Sequence, residues 1–331
     1  MTKQSLLIPT QGDFDDAHGD VEEELKYDEH YKTERQAKDE SGNWIYPWNF
    51  EVVSGFFKQT DPKTDDLKFN YSFENMGRLK SWEDIISELQ QLNENASDNE
   101  SYKLIFFARH GQGYHNLVIQ KYGLQAWLDK YHAMTTDGET TWAPDAALTE
   151  TGIKQAQENN QLWKQEIRLG APIPSKFYVS PMQRSSNTCV LTWNDIKSQD
   201  QRPVVKEKLR ETVGTNLCDM RSTKTVIDQR FGQYGFVTDE IVEQDIYFTD
   251  VRETMVEQSI RVNQFLQELF EQDLQNDGAV DKTKAHEKTF VSTTSHAGTI
   301  RCFINVLKHR HFTISTGGMI PIVIKATRRL D

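Results

Sequence analysis

The sequence predicts an α/β fold of three layers, in which helices cover both faces of a mostly parallel central sheet. Two observations lead to this prediction. From about residue 101 onward, short apolar runs typical of buried strands alternate with longer stretches whose apolar residues recur at helical spacing. The chain of 331 residues is also long enough to bury such a sheet. Strands that alternate with helices are joined by right-handed crossovers, which place them parallel.

Five segments have the composition of strands. The first, residues 103–108, contains the apolar run Leu-Ile-Phe-Phe-Ala, and two glycines turn the chain soon after it. The last contains Pro321, which cannot donate to a strand ladder, so we place this strand at an edge of the sheet. The full set of predicted strands is 103–108, 177–179, 204–209, 289–292 and 320–324.

Helices are predicted before and between these strands. Ser81 and Thr149 each precede a stretch with an apolar stripe at helical spacing, so we expect both to be N-cap residues. Further helices are predicted from about residue 114, from Met182 onward, over residues 252–271 and over residues 297–307.

The first hundred residues have a different composition. Residues 11–40 are crowded with Asp and Glu and hold few aliphatic residues, which is typical of a mobile or surface-wrapped arm. Aromatic residues return between Trp44 and Phe57, which indicates a segment that packs on the main domain. We therefore predict an acidic arm over 1–43, an aromatic segment with a helix over 44–100, and a main domain over 101–331 with an insert at about 117–147.

Charge and cysteine content exclude several classes of protein. The formal net charge is −12, whereas a general surface for nucleic acid or anionic membrane is basic. Cys189, Cys218 and Cys302 are far apart and odd in number, which argues against a structural zinc site or a disulfide framework. No segment approaches the roughly 20 apolar residues of a membrane span. We expect a soluble protein of the cytoplasm or nucleus, without nucleic-acid or membrane partners.

A group of polar side chains follows the predicted strands, at the edge where open α/β sheets bind ligands. Arg109 and His110 follow the first strand, and Arg184 comes shortly after the second. Glu211 follows the third strand and His296 the fourth. In a protein with a net charge of −12, these residues form a local basic cluster.

This cluster suits phosphoryl transfer. Two guanidinium groups can each offer forked donors to a dianionic phosphate monoester, and helix N-termini add backbone N–H groups. A neutral imidazole can attack phosphorus, and a carboxylic acid can protonate the departing alkoxide and later accept a proton from water. No metal is needed if Arg109, Arg184 and a charged His296 neutralise the transferred group. We therefore expect neither a metal nor another cofactor.

Five short motifs carry a resemblance to a known family. They are Arg109-His110-Gly111 with Asn116 six residues after the histidine, Leu148-Thr149-x-x-Gly152, Ser180-Pro-x-x-Arg184, Leu209-Arg-Glu211, and Ser295-His296-Ala-Gly298. Together they resemble the histidine phosphatase superfamily, whose fold is phosphoglycerate mutase-like. The stretch from Arg210 to Arg221 is similar to the fungal phosphomutase-like branch, whose members are often phosphatases. The resemblance covers about residues 103–330.

The resemblance implies a role for each matched residue. His110 would be the nucleophile that becomes phosphohistidine. Arg109, Arg184 and His296 would bind the phosphoryl oxygens with help from Asn116, which has a purely structural alternative as a cap of the first loop.

Glu211 would be the proton donor. The position of this acid varies between branches of the superfamily, and Asp219 lies only eight residues further on. Asp219 is therefore a second candidate.

The sequence favours a phosphatase over a mutase. A mutase must hold a bisphosphorylated intermediate, yet the insert offers only Lys121 and Lys130 among more numerous acids, and Gln112 replaces the acidic residue typical of glycolytic mutases. We expect metal-independent hydrolysis of a small phosphorylated metabolite, a phosphate monoester. The alternatives are a phosphomutase that uses the same phosphohistidine and, in another class, a catalytically idle binding or regulatory module. The oligomeric state stays open.

Several residues near the motifs have structural interpretations. His115 is five residues from His110 and off a common helix face, so the two are not predicted to form a metal site. Trp127, Tyr131 and Trp142 in the insert either pack a lid or form a wall of the leaving-group pocket.

Overall fold

A central sheet organises the structure, a computed structural model that describes residues 4–275 and 278–330. In chain order, the strands of these ranges are β1 (Trp48–Val52), β2 (Glu100–Arg109), β3 (Lys176–Val179), β4 (Val204–Val205), β5 (Phe290–Ser295) and β6 (Met319–Arg328). Across the sheet their order is β1-β6-β2-β5-β3-β4. Strands β2, β5, β3 and β4 are parallel neighbours, whereas β6 runs antiparallel to both β2 and β1. The prediction of a mostly parallel sheet is confirmed.

Helices pack on both faces of the sheet. In chain order, the α-helices of the described residues are α1 (Gln11–His18), α2 (Val21–Glu34), α3 (Trp82–Glu94), α4 (Tyr114–Tyr122), α5 (Leu124–Asp129), α6 (Glu150–Arg168), α7 (Gln183–Trp193), α8 (Lys224–Phe231), α9 (Met255–Glu271), α10 (Lys282–Glu287) and α11 (Ala297–Leu307). Ser81 accepts a hydrogen bond from the Asp84 N–H and Thr149 from the Gly152 N–H, so both predicted N-caps are confirmed.

Two adjacent residues of β2 define the two faces, because successive side chains of a strand point to opposite sides. Phe106 packs edge-on against Trp163 of α6, with ring centroids 4.8 Å apart. Phe107 packs against Phe303 of α11, with ring centroids 4.5 Å apart. All four side chains are buried, so the strand lies between two helical layers. The predicted three-layer α/β/α arrangement follows from this packing.

The predicted position of the last strand is wrong. Strand β6, which contains Pro321, lies inside the sheet between β1 and β2. Pairing with β1 begins only at Ile324, and the Val53 N–H adds one bond to the Val323 carbonyl. Pro321 therefore lies beyond the β1 ladder, where its missing N–H interrupts no bond to β1.

The third predicted strand is shorter than expected. Only Val204–Val205 is a strand, and a 3-10 helix over Glu207–Leu209 replaces the rest. The chain turns at this helix and carries Arg210 and Glu211 toward α11, where Thr299 Oγ1 donates to the Arg210 carbonyl oxygen.

The acidic N-terminal residues lie on the main domain as helices α1 and α2. Tyr27 of α2 is buried and its hydroxyl accepts a hydrogen bond from Asn263 of α9 at 2.8 Å. Glu24 contacts His311 at 2.9 Å. A single buried aromatic residue and several polar contacts thus hold a segment that is poor in aliphatic residues.

The insert has a small hydrophobic cluster of its own, apart from the main core. Its buried members are Val118, Trp127, Trp142, Ala143, Ala146 and Cys218. None of the helices in residues 4–275 and 278–330 combines the length and apolar content of a membrane-spanning segment.

Candidate active site

The carboxyl ends of β2, β3 and β5 bring the predicted site residues together. Arg109 lies opposite Ser295 in the β2–β5 register, so His110 and His296 are neighbours, with ring centroids 5.0 Å apart. Arg184 reaches the same place from α7, which follows β3. The sheet register therefore assembles side chains that are up to 187 residues apart in the chain.

The ring of His110 is held in one tautomer. Its Nδ1 lies 2.7 Å from the Gly111 carbonyl oxygen. Because a carbonyl oxygen only accepts, Nδ1 carries the proton and Nε2 keeps its lone pair. Burial, followed by the charges of Arg184 and Arg109, lowers the pKa of His110 well below its ordinary value of 6.5. The ring is thus neutral at pH 7, which is the form that can act as a nucleophile.

Arg184 is fully buried and its guanidinium group is fixed beside His110. Its Nε–H donates to the lone pair of His110 Nε2 at 3.4 Å. Its Nη1 donates to the Cys218 carbonyl oxygen at 2.9 Å, and Nη2 donates to Asp219 Oδ1 at 2.7 Å. A cation is therefore oriented toward the nucleophilic nitrogen before any substrate binds.

The guanidinium group of Arg109 is held by the N-terminal segment. Its Nη1 donates to Asp13 Oδ1 of α1 at 2.5 Å and to the Ile314 carbonyl oxygen at 2.7 Å, and its buried Nε has no partner in the described part of the chain. Burial raises the pKa of Asp13, but the Arg109 charge and the Thr10 N–H outweigh it, so the pKa lies below the ordinary 3.8. The acidic segment thus contacts the predicted site directly.

His296 is the N-cap residue of α11 and is completely buried. Its Nε2 lies 2.8 Å from Ser180 Oγ, and Nδ1 has no partner among the described residues. Burial, with the charge of Arg184 and then His110, lowers the pKa of His296 well below 6.5. Burial and a nearby cation both favour the neutral ring while no anion is bound. A charged His296 beside a bound phosphoryl group stays a prediction.

Glu211 lies at the N-terminus of α11. Its Oε1 accepts a bond from the Thr212 N–H at 2.9 Å, and its Oε2 lies 3.4 Å from the Gly298 N–H. A Cβ on residue 298 would lie 2.3 Å from Glu211 Oε1, so a larger residue there would displace the carboxylate from this position. Asp219, the other acid considered, is buried against Arg184, and burial raises its pKa above 3.8.

The loop that carries His110 is fastened to α6 by the Leu148-Thr149-x-x-Gly152 motif. The Thr149 N–H donates to the Gln112 carbonyl oxygen at 2.9 Å, and the Thr149 hydroxyl donates to the Gln112 side chain at 2.8 Å. A Cβ on Gly111 would lie 2.4 Å from the Gly152 carbonyl oxygen, and one on Gly152 would lie 2.2 Å from that of Gln112. The two glycines allow loop and helix to touch, a role that the sequence analysis did not assign.

Asn116 stabilises the start of α4. Its Oδ1 accepts a hydrogen bond from the Gly113 N–H at 2.9 Å. This contact is the structural alternative considered for Asn116, and it leaves the side-chain amide nitrogen without a bond to the described protein atoms.

His115 also lies beside the nucleophile, although the sequence analysis considered it only as a metal ligand. Its ring centroid is 5.6 Å from that of His110, and it is buried with Nδ1 unpaired. Within the described ranges, no group of three or more His, Cys, Asp or Glu side chains is arranged to hold a metal ion. A signal was present in the sequence, because His115 directly precedes Asn116 of the first motif.

The aromatic residues of the insert pack mainly on each other. Trp127 and Trp142 are buried in the insert cluster, and Tyr131 stacks on Tyr122 with ring centroids 4.2 Å apart. Cys218 joins the same cluster, where burial raises the pKa of its thiol well above 9.0. These contacts agree with the packing interpretation of the insert aromatics.

Comparison with known proteins gives a consistent result. The family described as "Histidine phosphatase superfamily (branch 1)" matches residues 105–316. A "Probable phosphoglycerate mutase" of Arthroderma benhamiae is 30% identical over 302 residues, which is 86% of this chain and 86% of that protein. "Phosphomutase-like protein 3" of Candida albicans is 30% identical over 274 residues, 81% of this chain and 78% of that protein.

A solved phosphoglycerate mutase from Bacillus anthracis str. Sterne shows a weaker similarity to this chain. It has a TM-score of 0.42 and 15% identity, and the match covers 68% of this chain and 89% of that one. The family match spans the residues from β2 to the loop before β6 and includes the predicted residues Arg184, Glu211 and His296. On the family match and the two fungal relatives, the chain belongs to the histidine phosphatase superfamily and is related to its phosphatases and mutases.

Proposed function

We propose that this protein hydrolyses small phosphate monoesters through a phosphohistidine on His110. One observation carries the proposal: a neutral His110, whose Nε2 holds the lone pair, faces the Nε of a fixed Arg184 at 3.4 Å. In this structure the Arg184 Nε–H donates to that lone pair. A phosphoryl group bound beside both residues would receive the lone pair at phosphorus and the N–H at an oxygen.

In the first step, His110 Nε2 forms a bond to phosphorus while the bond from phosphorus to the ester oxygen breaks. Glu211 donates a proton to the departing alkoxide. In the second step, water attacks the phosphohistidine, Glu211 accepts a proton from that water, and the N–P bond breaks to release phosphate. Glu211 is better placed than Asp219 for this role, because Asp219 is already paired with Arg184.

The remaining polar groups would bind the phosphoryl oxygens. Arg109 uses only Nη1 for its protein contacts, which leaves Nη2 available, and His296 has Nδ1 available. The amide nitrogen of Asn116 and the N-terminus of α11 add donors without charge. A dianion bound here would raise the pKa of His296, because an opposite charge favours the protonated ring.

The insert supports hydrolysis over a mutase reaction. Lys121 lies 3.1 Å from Asp137 and 3.2 Å from Glu139, and Lys130 places its ammonium group over the Tyr131 ring. Both lysines are therefore engaged by the insert itself, and neither is directed at a second phosphoryl group. The names of the fungal relatives favour the other candidate, a phosphomutase that uses the same His110.

The direct test is release of phosphate from a panel of phosphomonoesters in the presence of chelator, with wild type beside His110→Ala. We expect release only by the wild type, together with an acid-labile phosphoryl group on the trapped wild-type protein. A mutase would instead return the phosphoryl group to a second hydroxyl and release little phosphate. No release and no phosphoprotein would favour the idle binding module.

The role of Glu211 is tested with two leaving groups. A nitrophenolate leaves without a proton, whereas a glycerol alkoxide needs one. We expect Glu211→Gln to lower kcat/KM for glycerol phosphate about 100-fold or more, with a much smaller loss for nitrophenyl phosphate. Equal losses for the two substrates would exclude Glu211 as the proton donor, and Asp219→Asn is then the variant to compare.

A further inference from the structure

The position of His115 is unexplained by the roles assigned so far. His115 is in the first turn of α4, and its side chain is buried although imidazole is polar. Nδ1 has no hydrogen-bond partner, and Nε2 forms no bond with the described residues. A buried imidazole without a protein partner on either nitrogen keeps hydrogen-bonding capacity for a ligand.

The local backbone is shaped to admit this ring. A Cβ on residue 113 would lie 2.6 Å from His115 Nδ1, so glycine is required for the ring to fold back over the loop. Asn116 closes the same turn by accepting from the Gly113 N–H. The ring is therefore seated against the loop that begins with His110.

The surroundings of His115 are those of the proposed phosphoryl pocket. Its ring centroid is 5.6 Å from that of His110. After burial, the charge of Arg184 is the largest influence that lowers the pKa of His115, followed by His110 and Arg109. These three residues belong to the proposed site and the His110 ring is 5.6 Å away, so His115 lies beside that site.

We propose that His115 is a further phosphoryl-binding residue, whose neutral ring donates an N–H to an oxygen of the transferred group. The inference rests on the proposed function. With Nδ1 against Gly113, Nε2 is the nitrogen that carries the donated proton. A neutral donor strengthens binding of the phosphoryl oxygens without adding another cation beside the His110 nucleophile.

Binding of orthovanadate, which mimics phosphorus during transfer, tests this role without turnover. We expect His115→Phe to weaken vanadate binding about 10- to 100-fold, the range for one hydrogen bond to a charged group. His115→Gln retains a donor and should bind more tightly than His115→Phe. The melting temperature should stay the same or rise in His115→Phe, because an unpaired polar group is replaced by an apolar ring.

His132→Phe is the control for the same substitution, since His132 lies in the insert and its Nδ1 contacts the Trp127 carbonyl oxygen. It should leave vanadate binding unchanged. Vanadate affinity in His115→Phe equal to wild type would overturn the inference, and a lower melting temperature with unchanged affinity would assign His115 to packing.

A second measurement uses only the wild-type protein and so does not depend on whether a variant folds. The ring nitrogen signals of His115 in labelled wild-type protein should shift when vanadate binds, and constant signals would contradict the proposal. Wild type that neither binds vanadate nor releases phosphate would remove the proposed function itself. Wild type that does both, beside an equally competent His115→Phe, would remove only the role of His115.

Discussion

The two arginines of the site are each held by an aspartate, but from different parts of the molecule. Arg184 is paired with Asp219, which is 35 residues away, and all three of its nitrogens have partners. Arg109 is paired with Asp13, which is 96 residues away on α1, through a single nitrogen. We call each arginine with its aspartate a clamp. Both residues of the Arg184 clamp lie in the main domain, whereas the Arg109 clamp takes its aspartate from the N-terminal segment.

This difference shows that the site extends beyond the residues that match the family. The match covers residues 105–316, which include Arg184 and Asp219 but not Asp13. The helix that carries Asp13 is a feature of this chain's N-terminal segment, and it sets how Arg109 is oriented. We therefore expect Arg184 to be essential for both stability and activity, and Arg109 to be more tolerant of change.

The largest expected effect is that of Arg184→Gln. Removing this cation leaves the buried Asp219 with only the more distant Arg252, whose Nη1 is 3.8 Å from Asp219 Oδ2. The free energy of unfolding should therefore fall by up to about 3–5 kcal/mol. Loss of the fixed donor beside His110 should also lower kcat about 100- to 1000-fold. Urea unfolding and steady-state kinetics measure the two effects.

The double variant Arg184→Gln with Asp219→Asn is its control. It should regain part of the stability, because the buried charge that has lost Arg184 is gone, but none of the activity. Full stability in the single variant would contradict the description of Arg184 and Asp219 as a buried ion pair.

Arg109→Gln should have a smaller effect. It removes a donor to the phosphoryl oxygens, so kcat/KM should fall about 10- to 100-fold. The loss of stability should be smaller than for Arg184→Gln, because Asp13 keeps its contacts with Thr10. A destabilisation as large as that of Arg184→Gln would show that the two arginine–aspartate pairs contribute equally to stability, which would contradict this prediction.

Most of the site could be predicted from the sequence, because its residues directly follow strands with a clear local pattern. The apolar run before Arg109 and the strand before His296 indicate where each side chain emerges. Parallel strands then bring these ends to one edge, whatever their distance in the chain.

What the sequence did not reveal depends on pairing between distant segments. Strand β1 was expected only as an aromatic segment, because its partner β6 lies about 270 residues further on and no local pattern marks that pairing. The contact of Asp13 with Arg109 was missed for the same reason. One aspartate among many in residues 11–40 has no local feature that identifies its partner.

The smallest and sharpest prediction concerns pH. The contributions of Asp13 and Asp219 to folding stability should change in opposite directions as the pH rises. Folding lowers the pKa of Asp13, mainly through Arg109 and against burial, so its contribution to stability is present above pH 3.8 and is lost as the pH falls through the folded pKa. Burial raises the pKa of Asp219, so its contribution is present below pH 3.8 and is lost as the pH rises through the folded pKa.

Urea unfolding of wild type, Asp13→Asn and Asp219→Asn between about pH 3 and 6 measures these contributions. The free-energy difference between wild type and Asp13→Asn should grow with pH, up to about 1 kcal/mol. The difference between wild type and Asp219→Asn should shrink over the same range. Asp15→Asn, which changes an exposed residue of the same helix, is the control for the substitution itself. If the two free-energy differences changed with pH in the same direction, the Arg109 and Arg184 clamps would be electrostatically alike. The contrast between them would then be wrong.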